Sequence, residues 1–260
     1  MKKLFLSLFL LVSLLASAVC DDVLKISNPS SADFTDTENY LIVHDTYYIS
    51  YSKSKLIPNW VGWHVDISDL STGRHEGTFI IDKSLPKTWI RVTHKDYDNT
   101  GFDRGHLCPN ADRNAYDNGK ETFITTNIVP QTAECNRGVW KALEDYCRQL
   151  VEKNGNELYV FAGVYGESGT MSNKNIVVPE YCWKVALILP EGEDDLARIN
   201  EDTITIAVWI PNNRTCNDLE LQGYVVTIDY IEEKTGYDFF ENTPEKVQRV
   251  IESRKYCFNK

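Results

Sequence analysis

Gly101-Phe102-Asp103-Arg104-Gly105-His106-Leu107-Cys108-Pro109-Asn110 is the stretch on which the reading of this chain turns. Within the four positions 103–106 it places a carboxylate, a guanidinium and an imidazole. Further along, Asn136-Arg137-Gly138-Val139-Trp140 sets an asparagine just ahead of an amphipathic segment. An imidazole titrates near neutrality and can take a proton from water. A neutral amide oxygen suits a hard ion such as Mg²⁺, which keeps most of its own waters. Base, cation and amide oxygen are the parts needed to break a phosphodiester with a metal ion.

Each residue also has a plainer reading. A lone histidine is more often structural, and His44, His64, His75 and His94 are read that way. His106 differs by its neighbours, with Asp103 able to orient either the ring or Arg104. Asn136 also fits a helix N-cap, and the two roles can coexist. Arg137 and Lys141 suit phosphate, or simply a solvated helix face. Glu144 follows Asn136 by eight residues. On an ideal helix that is about 80° past two turns and about 12 Å along the axis. Spacing alone therefore does not bring Glu144 and Asn136 to one ion, unless Asn136 lies before the helix proper and folds back.

Around these motifs, β-branched and aromatic runs predict strands over 40–51, 60–65, 77–81, 122–129, 158–164, 183–189, 203–210 and 224–228. Apolar residues at Val139/Trp140, Leu143, Tyr146/Cys147 and Leu150/Val151 predict a helix over 138–152, with Asn154-Gly155-Asn156 as its stop. Shorter helices are expected over 229–234, ended at Gly236, and after Pro244. Many strands with a few separate helices give an α+β fold with a mixed or antiparallel central sheet.

The chain begins with a basic Met1-Lys2-Lys3, an apolar run and Ala16-Ser17-Ala18. That pattern is a signal peptide over 1–20, cleaved after Ala18 or Cys20. One domain over 21–260 is expected to follow, and the mature protein is read as secreted, or periplasmic in a bacterium. Six further cysteines, Cys108, Cys135, Cys147, Cys182, Cys216 and Cys257, form no C-x-x-C pair. An even set in an exported chain reads as disulfides rather than zinc ligands. Asn213-Arg214-Thr215 is a glycosylation sequon that matters only in a eukaryotic host.

The net charge is −11, and losing the leader removes two lysines and no acid. A protein that holds nucleic acid by counterion release is normally basic. Residues 83–113 nevertheless carry six Lys/Arg against four Asp, a local positive site on an acidic body. Such a surface suits an enzyme that must release a polymer.

Asp103-Arg104-Gly105-His106 resembles the DRGH motif of the DNA/RNA non-specific endonucleases, the ββα-metal nucleases that include mitochondrial endonuclease G. Asp96-Tyr97, Gly101-Phe102 and Pro109 sit as in that family, and Asn127-Ile128-Val129-Pro130-Gln131 resembles its next segment. Asn136-Arg137-Gly138-x-Trp140-x-x-Leu143-Glu144 is similar to its metal helix. Phe161-Ala162-Gly163, Val178-Pro179-x-x-x-Trp183-Lys184, Pro211-Asn212 and Thr235-Gly236-x-x-Phe239-Phe240 follow in order, so the likeness runs over about residues 40–240.

The resemblance implies a ββα-metal site. His106 would be the general base, and Asn136 the one direct protein ligand to Mg²⁺, with Mn²⁺ as a substitute. Glu144 would bond the metal's waters, and Arg104 would stabilise charge at the phosphate. A second arginine is expected upstream of Phe79-Ile80-Ile81-Asp82, which points to Arg74. DNA and RNA would both be substrates, since no step needs the 2′-hydroxyl, and products would carry 5′-phosphates. A homodimer is left open. Cys108 and Cys135 depart from the family pattern, and a bridge between them would clamp the base loop to the metal helix. Cys216 and Cys257 would similarly tie down the C-terminal tail. Binding nucleic acid without cutting, cleavage of small diesters, and a disulfide-rich binding module without chemistry are the competing readings. The complete His106, Asn136 and Glu144 set weighs against the first, and the ordered run of family segments against the last.

Overall fold

The computed structural model describes residues 23–71, 77–115 and 117–258. The expected leader, Arg74 and His75 lie outside the described residues. Six strands build the central sheet: β1 (Tyr40–Val43), β2 (Tyr48–Ser52), β3 (Ile57–Val65), β6 (Asn156–Tyr165), β9 (Tyr181–Pro190) and β10 (Ile204–Pro211). They pair antiparallel throughout, in the order β1-β2-β3-β6-β9-β10. Two small hairpins stand apart: β4 (Asp103–His106) with β5 (Ile128–Gln131), and β7 (Gly169–Met171) with β8 (Ile176–Val178).

The sheet's inner strands are apolar almost without break because both faces are covered. Period-two alternation sends Leu158, Val160 and Ala162 to one face and Tyr159 and Phe161 to the other. Over the first face lies α1 (Trp140–Asn154), packed through Trp140, Leu143, Cys147, Leu150 and Val151 together with the β4–β5 hairpin. It ends at Gly155, whose φ of +63° closes the helix in the left-handed region. Over the second face lie α2 (Ile228–Thr235) and α3 (Glu245–Glu252), seated on Ile228, Ile231 and Ile251. The Thr227 hydroxyl accepts from Tyr230 N at 3.1 Å to cap α2. This is the α+β architecture with an antiparallel sheet that the pattern implied.

Four expectations need correction. Of the strand expected over 122–129, residues 122–127 are 3-10 turns apart from the bridge at Ile124, and strand begins at Ile128. Residues 77–81 form no strand, only an isolated bridge from Ile80 to Ile124, and both Ile80 and Ile81 are exposed. Over 224–228 there is one bridge, Val208 to Val225, before α2 begins. Residues 40–51 are two strands joined by a turn rather than one. The strand at 103–106 was not foreseen, because a four-residue polar segment carries no periodicity.

Candidate active site

The β4–β5 hairpin runs in the register Asp103↔Gln131, Arg104↔Pro130, Gly105↔Val129 and His106↔Ile128. Alternation puts Arg104 and His106 on one side and Asp103 and Gly105 on the other. Gly105 cannot carry a side chain, because a Cβ there would stand 2.0 Å from Gln131 Oε1.

The His106 ring lies between Phe79, at a centroid distance of 5.5 Å, and Phe123, edge-on at 4.9 Å. Its Nε2 is buried and has no hydrogen-bond partner. Burial pulls the imidazole down to about 4, so it is neutral at physiological pH. Trp140 Nε1 donates to the His106 carbonyl at 3.3 Å and ties β4 to the start of α1. Arg104 donates to the His94 carbonyl at 3.1 and 2.6 Å and to Asp98. Its guanidinium lies 5.7 Å from the rings of Phe79 and Tyr97. Phe79 thus touches both the histidine and the arginine.

Asn136 sits in a wide turn, Cys135–Val139, that precedes α1 and breaks at Gly138, where φ is −100° and ψ −115°. A side chain there would have to displace Asn217, whose Oδ1 would stand 2.2 Å from a Cβ. The Asn136 amide donates Nδ2 to Asp103 Oδ2 at 3.0 Å, which leaves Oδ1 as its acceptor end. Arg137 holds the same carboxylate through two bonds, at 2.7 and 2.6 Å. Burial pushes the Asp103 carboxyl up, but the bonds from Arg137 and Asn136 outweigh it and hold the group below the usual range. Asp103 therefore orients Asn136, not the imidazole or Arg104, because its side chain points to the opposite side of β4.

The wide turn also alters the helical arithmetic. With Gly138 outside helical φ/ψ the chain is kinked there, and the spacing of an ideal helix does not apply between Asn136 and Glu144. Trp140, midway between them, contacts the His106 strand. Glu144, one α-helical turn beyond Trp140, shares that face. Burial pushes its carboxyl up to about 7, against the pull of Lys184, whose Nζ lies 3.7 Å away. Lys184 is buried in β9 and lies over the Trp140 ring at 4.2 Å. It appeared in the sequence only as part of a matching segment. The available signal was a single lysine inside the apolar run of β9.

Other expectations fall differently. Arg91 donates to the carbonyls of Asp82 and Leu85, and Arg113 is buried against Asp69, so two of the six local cations serve the fold. His44 pairs with Asp82 and His64 with Glu157, as structural histidines do. The six cysteines among the described residues are free thiols. The expected Cys108–Cys135 bridge is not formed. The Cys135 thiol contacts Cys182 and Cys216 instead, which strand β9 and the turn at Arg214–Asn217 bring to it. The expected Cys216–Cys257 bridge is not formed either, with Cys216 buried and Cys257 exposed.

A family model described as DNA/RNA non-specific endonuclease matches residues 30–246. The chain belongs to that family. The nuclease of Nostoc sp. is 41% identical over 234 residues, covering 89% of this chain and 85% of that protein. Nuclease C1 of Cunninghamella echinulata is 30% identical over 239 residues, covering 85% and 88% respectively. Among solved structures, EndoG from its complex with EndoGI superposes with a TM-score of 0.74 at 23% identity, covering 90% of this chain and 96% of that one. The last likeness concerns the fold, and it is the ββα-metal nuclease fold. The protein is an endonuclease that hydrolyses nucleic acid, and its hairpin, wide turn and helix are the two strands and helix of that motif. Beside Arg104 this nuclease opens a groove lined by Phe79, Ile80, Ile81, Lys83, His94 and Lys95. Apolar rings and lysines together suit the bases and phosphates of a strand.

Proposed function

We propose that the protein is a secreted, Mg²⁺-dependent endonuclease that cuts DNA and RNA without sequence preference and leaves 5′-phosphates. The observation that carries this reading is the His106 Nε2, buried, neutral and without a protein partner, beside the Arg104 guanidinium. A neutral imidazole with an open lone pair accepts a proton from water. A value near 4 makes it a weak base, but an arriving phosphodiester brings negative charge that raises the ring's proton affinity again. Arg104 meets the charge on the phosphate oxygens.

The residues fit a hard divalent ion. Asn136 offers Oδ1 once Nδ2 is engaged by Asp103, and Glu144 offers a carboxylate one helical turn beyond Trp140, which bonds the His106 strand. Mg²⁺, or Mn²⁺ in its place, supplies positive charge at the phosphate and at the departing 3′-oxygen when bound. Asn136 would be the direct ligand and Glu144 the acceptor for the surrounding waters. Arg74 is the second phosphate cation of this reading. No residue of the set depends on a 2′-hydroxyl, which supports action on both DNA and RNA.

The test is to incubate the mature protein with supercoiled plasmid and with RNA in Mg²⁺ or EDTA. Cutting of both in Mg²⁺ alone is expected, and folded protein that cuts neither overturns the reading. Secretion is checked by N-terminal sequencing of protein from the culture medium, with a start at residue 19 or 21 expected. Lys184→Met is expected to cost about 10–100-fold in rate, the range for groups that position a metal's partners. The carboxyl of Glu144 would then lose the stronger of the two cations, Lys184 and Arg148, that favour its ionised form, and the acidic limb of the pH–rate profile should move to higher pH. An unchanged profile would make Lys184 a packing residue only.

A further inference from the structure

The second face of the sheet carries a group of acids remote from the hairpin. Asp229 and Glu232 stand three apart on α2, on one helix face, and Glu252 is the last residue of α3. One carboxylate oxygen from each lies within 4.8 Å of the others. Asp229 is exposed and Glu232 half-buried, but Glu252 is only 6% exposed. Its Oε1 is buried with no hydrogen-bond partner.

Three carboxylates so close repel one another unless a cation intervenes. Among the described residues no lysine or arginine does so. Of the cations nearest in sequence, Lys234 pairs with Glu233, Lys246 with Glu201 and Arg249 with Glu245, while exposed Arg254 and Lys255 form no ion pair with the three acids. One oxygen of Glu232 is fixed by the backbone N–H of Phe239 at 2.7 Å, which sets the direction of the carboxylate. We propose that Asp229, Glu232 and Glu252 form a structural Ca²⁺ site that staples α2 to α3.

The donor set chooses the ion. Oxygen alone, with no imidazole or thiolate, selects hard cations over Zn²⁺. Ca²⁺ takes six to eight oxygens in a forgiving geometry, and three carboxylates plus waters entering beside exposed Asp229 supply them. Mg²⁺ demands a stricter octahedron and keeps its waters, so it fits less well. Without the ion, burial and the neighbouring acids Glu232, Asp229 and Asp238 push the Glu252 carboxyl up to about 8. Burial also lifts Glu232 to about 7, against the Phe239 N–H bond and with Asp238 and Asp229. The same crowding that makes the acids hold protons makes a doubly charged ion a better occupant. Such an ion would lock both helices over Ile228, Ile231 and Ile251, which are fully buried.

The site is tested by thermal unfolding of the full chain in EDTA or Ca²⁺, using wild type, Asn136→Ala, Glu252→Gln and Asp229→Asn. Calcium about a hundredfold above its dissociation constant should raise the midpoint by about 5–10 °C in wild type and Asn136→Ala. The rise should be lost in Glu252→Gln and reduced in Asp229→Asn, and Mg²⁺ at equal concentration should give less. Calorimetric titration of Asn136→Ala with Ca²⁺ should find one site that Glu252→Gln lacks. Because the background variant removes the proposed catalytic ligand, failure here leaves the catalytic reading untouched. An equal calcium shift in wild type and Glu252→Gln overturns the site. So does a wild-type midpoint that ignores calcium at pH 8, which would make the cluster a proton-held one.

Discussion

His106→Ala will lower the plasmid-cutting rate by about 10²–10⁴-fold, the range that a positioned general base contributes. The reason lies in the ring's surroundings. Phe79 and Phe123 hold it in a fixed plane, Nε2 faces no protein acceptor or donor, and burial keeps it unprotonated. Alanine removes the lone pair and leaves a ring-shaped gap, so free imidazole in the buffer should restore part of the lost rate. The variant should still fold, because Trp140 bonds the backbone carbonyl at this position rather than the side chain. Burial is the cause of the low proton affinity, so the ring stays uncharged well below the pH at which Glu144 takes up its proton, and the acidic limb of the profile should belong to Glu144 rather than to His106. A variant that cuts at the wild-type rate would remove His106 from the mechanism.

Asn136→Ala should be comparably severe but with a different signature. The substitution deletes Oδ1, proposed as the direct ligand, and also frees Asp103 from one of its bonds. The maximal rate should fall by about 10³-fold, corresponding to several kcal/mol of transition-state stabilisation by the ion. The Mg²⁺ concentration for half-maximal rate should rise more than tenfold. Rates measured across a Mg²⁺ series separate the two effects. An unchanged Mg²⁺ dependence would place the ligand elsewhere.

How much of this could be read without coordinates differs residue by residue. His106, Arg104 and Asn136 were marked by residue type and order, and α1 by its apolar spacing. The kink between Asn136 and Glu144 was not, because apolar periodicity carries no sign of it. That kink falls at Gly138, which packs against Asn217, a contact 79 residues away in the chain. The role of Asp103 was misread for a similar reason. Its proximity to His106 in sequence counts for nothing once β4 is extended, since residues three apart point to opposite sides. The apolar residues at 77–81 looked like strand, yet Ile80 and Ile81 face the open groove instead of a core. Lys184 belongs to tertiary structure altogether. Its value comes from meeting Glu144 and Trp140, which periodicity cannot show.

Strand β4 pairs with β5 alone, four residues against four, while β3, β6 and β9 each have a partner on both edges. Fewer backbone bonds must break to release this hairpin than to dismantle the sheet behind it. Deuterium should therefore reach the amides of β4 before those of β6, and partial denaturation should disorganise chemistry while the scaffold stays intact. Heat would silence the enzyme some degrees below the temperature at which it melts, and on cooling activity would return with the refolding of a few residues rather than of the whole chain.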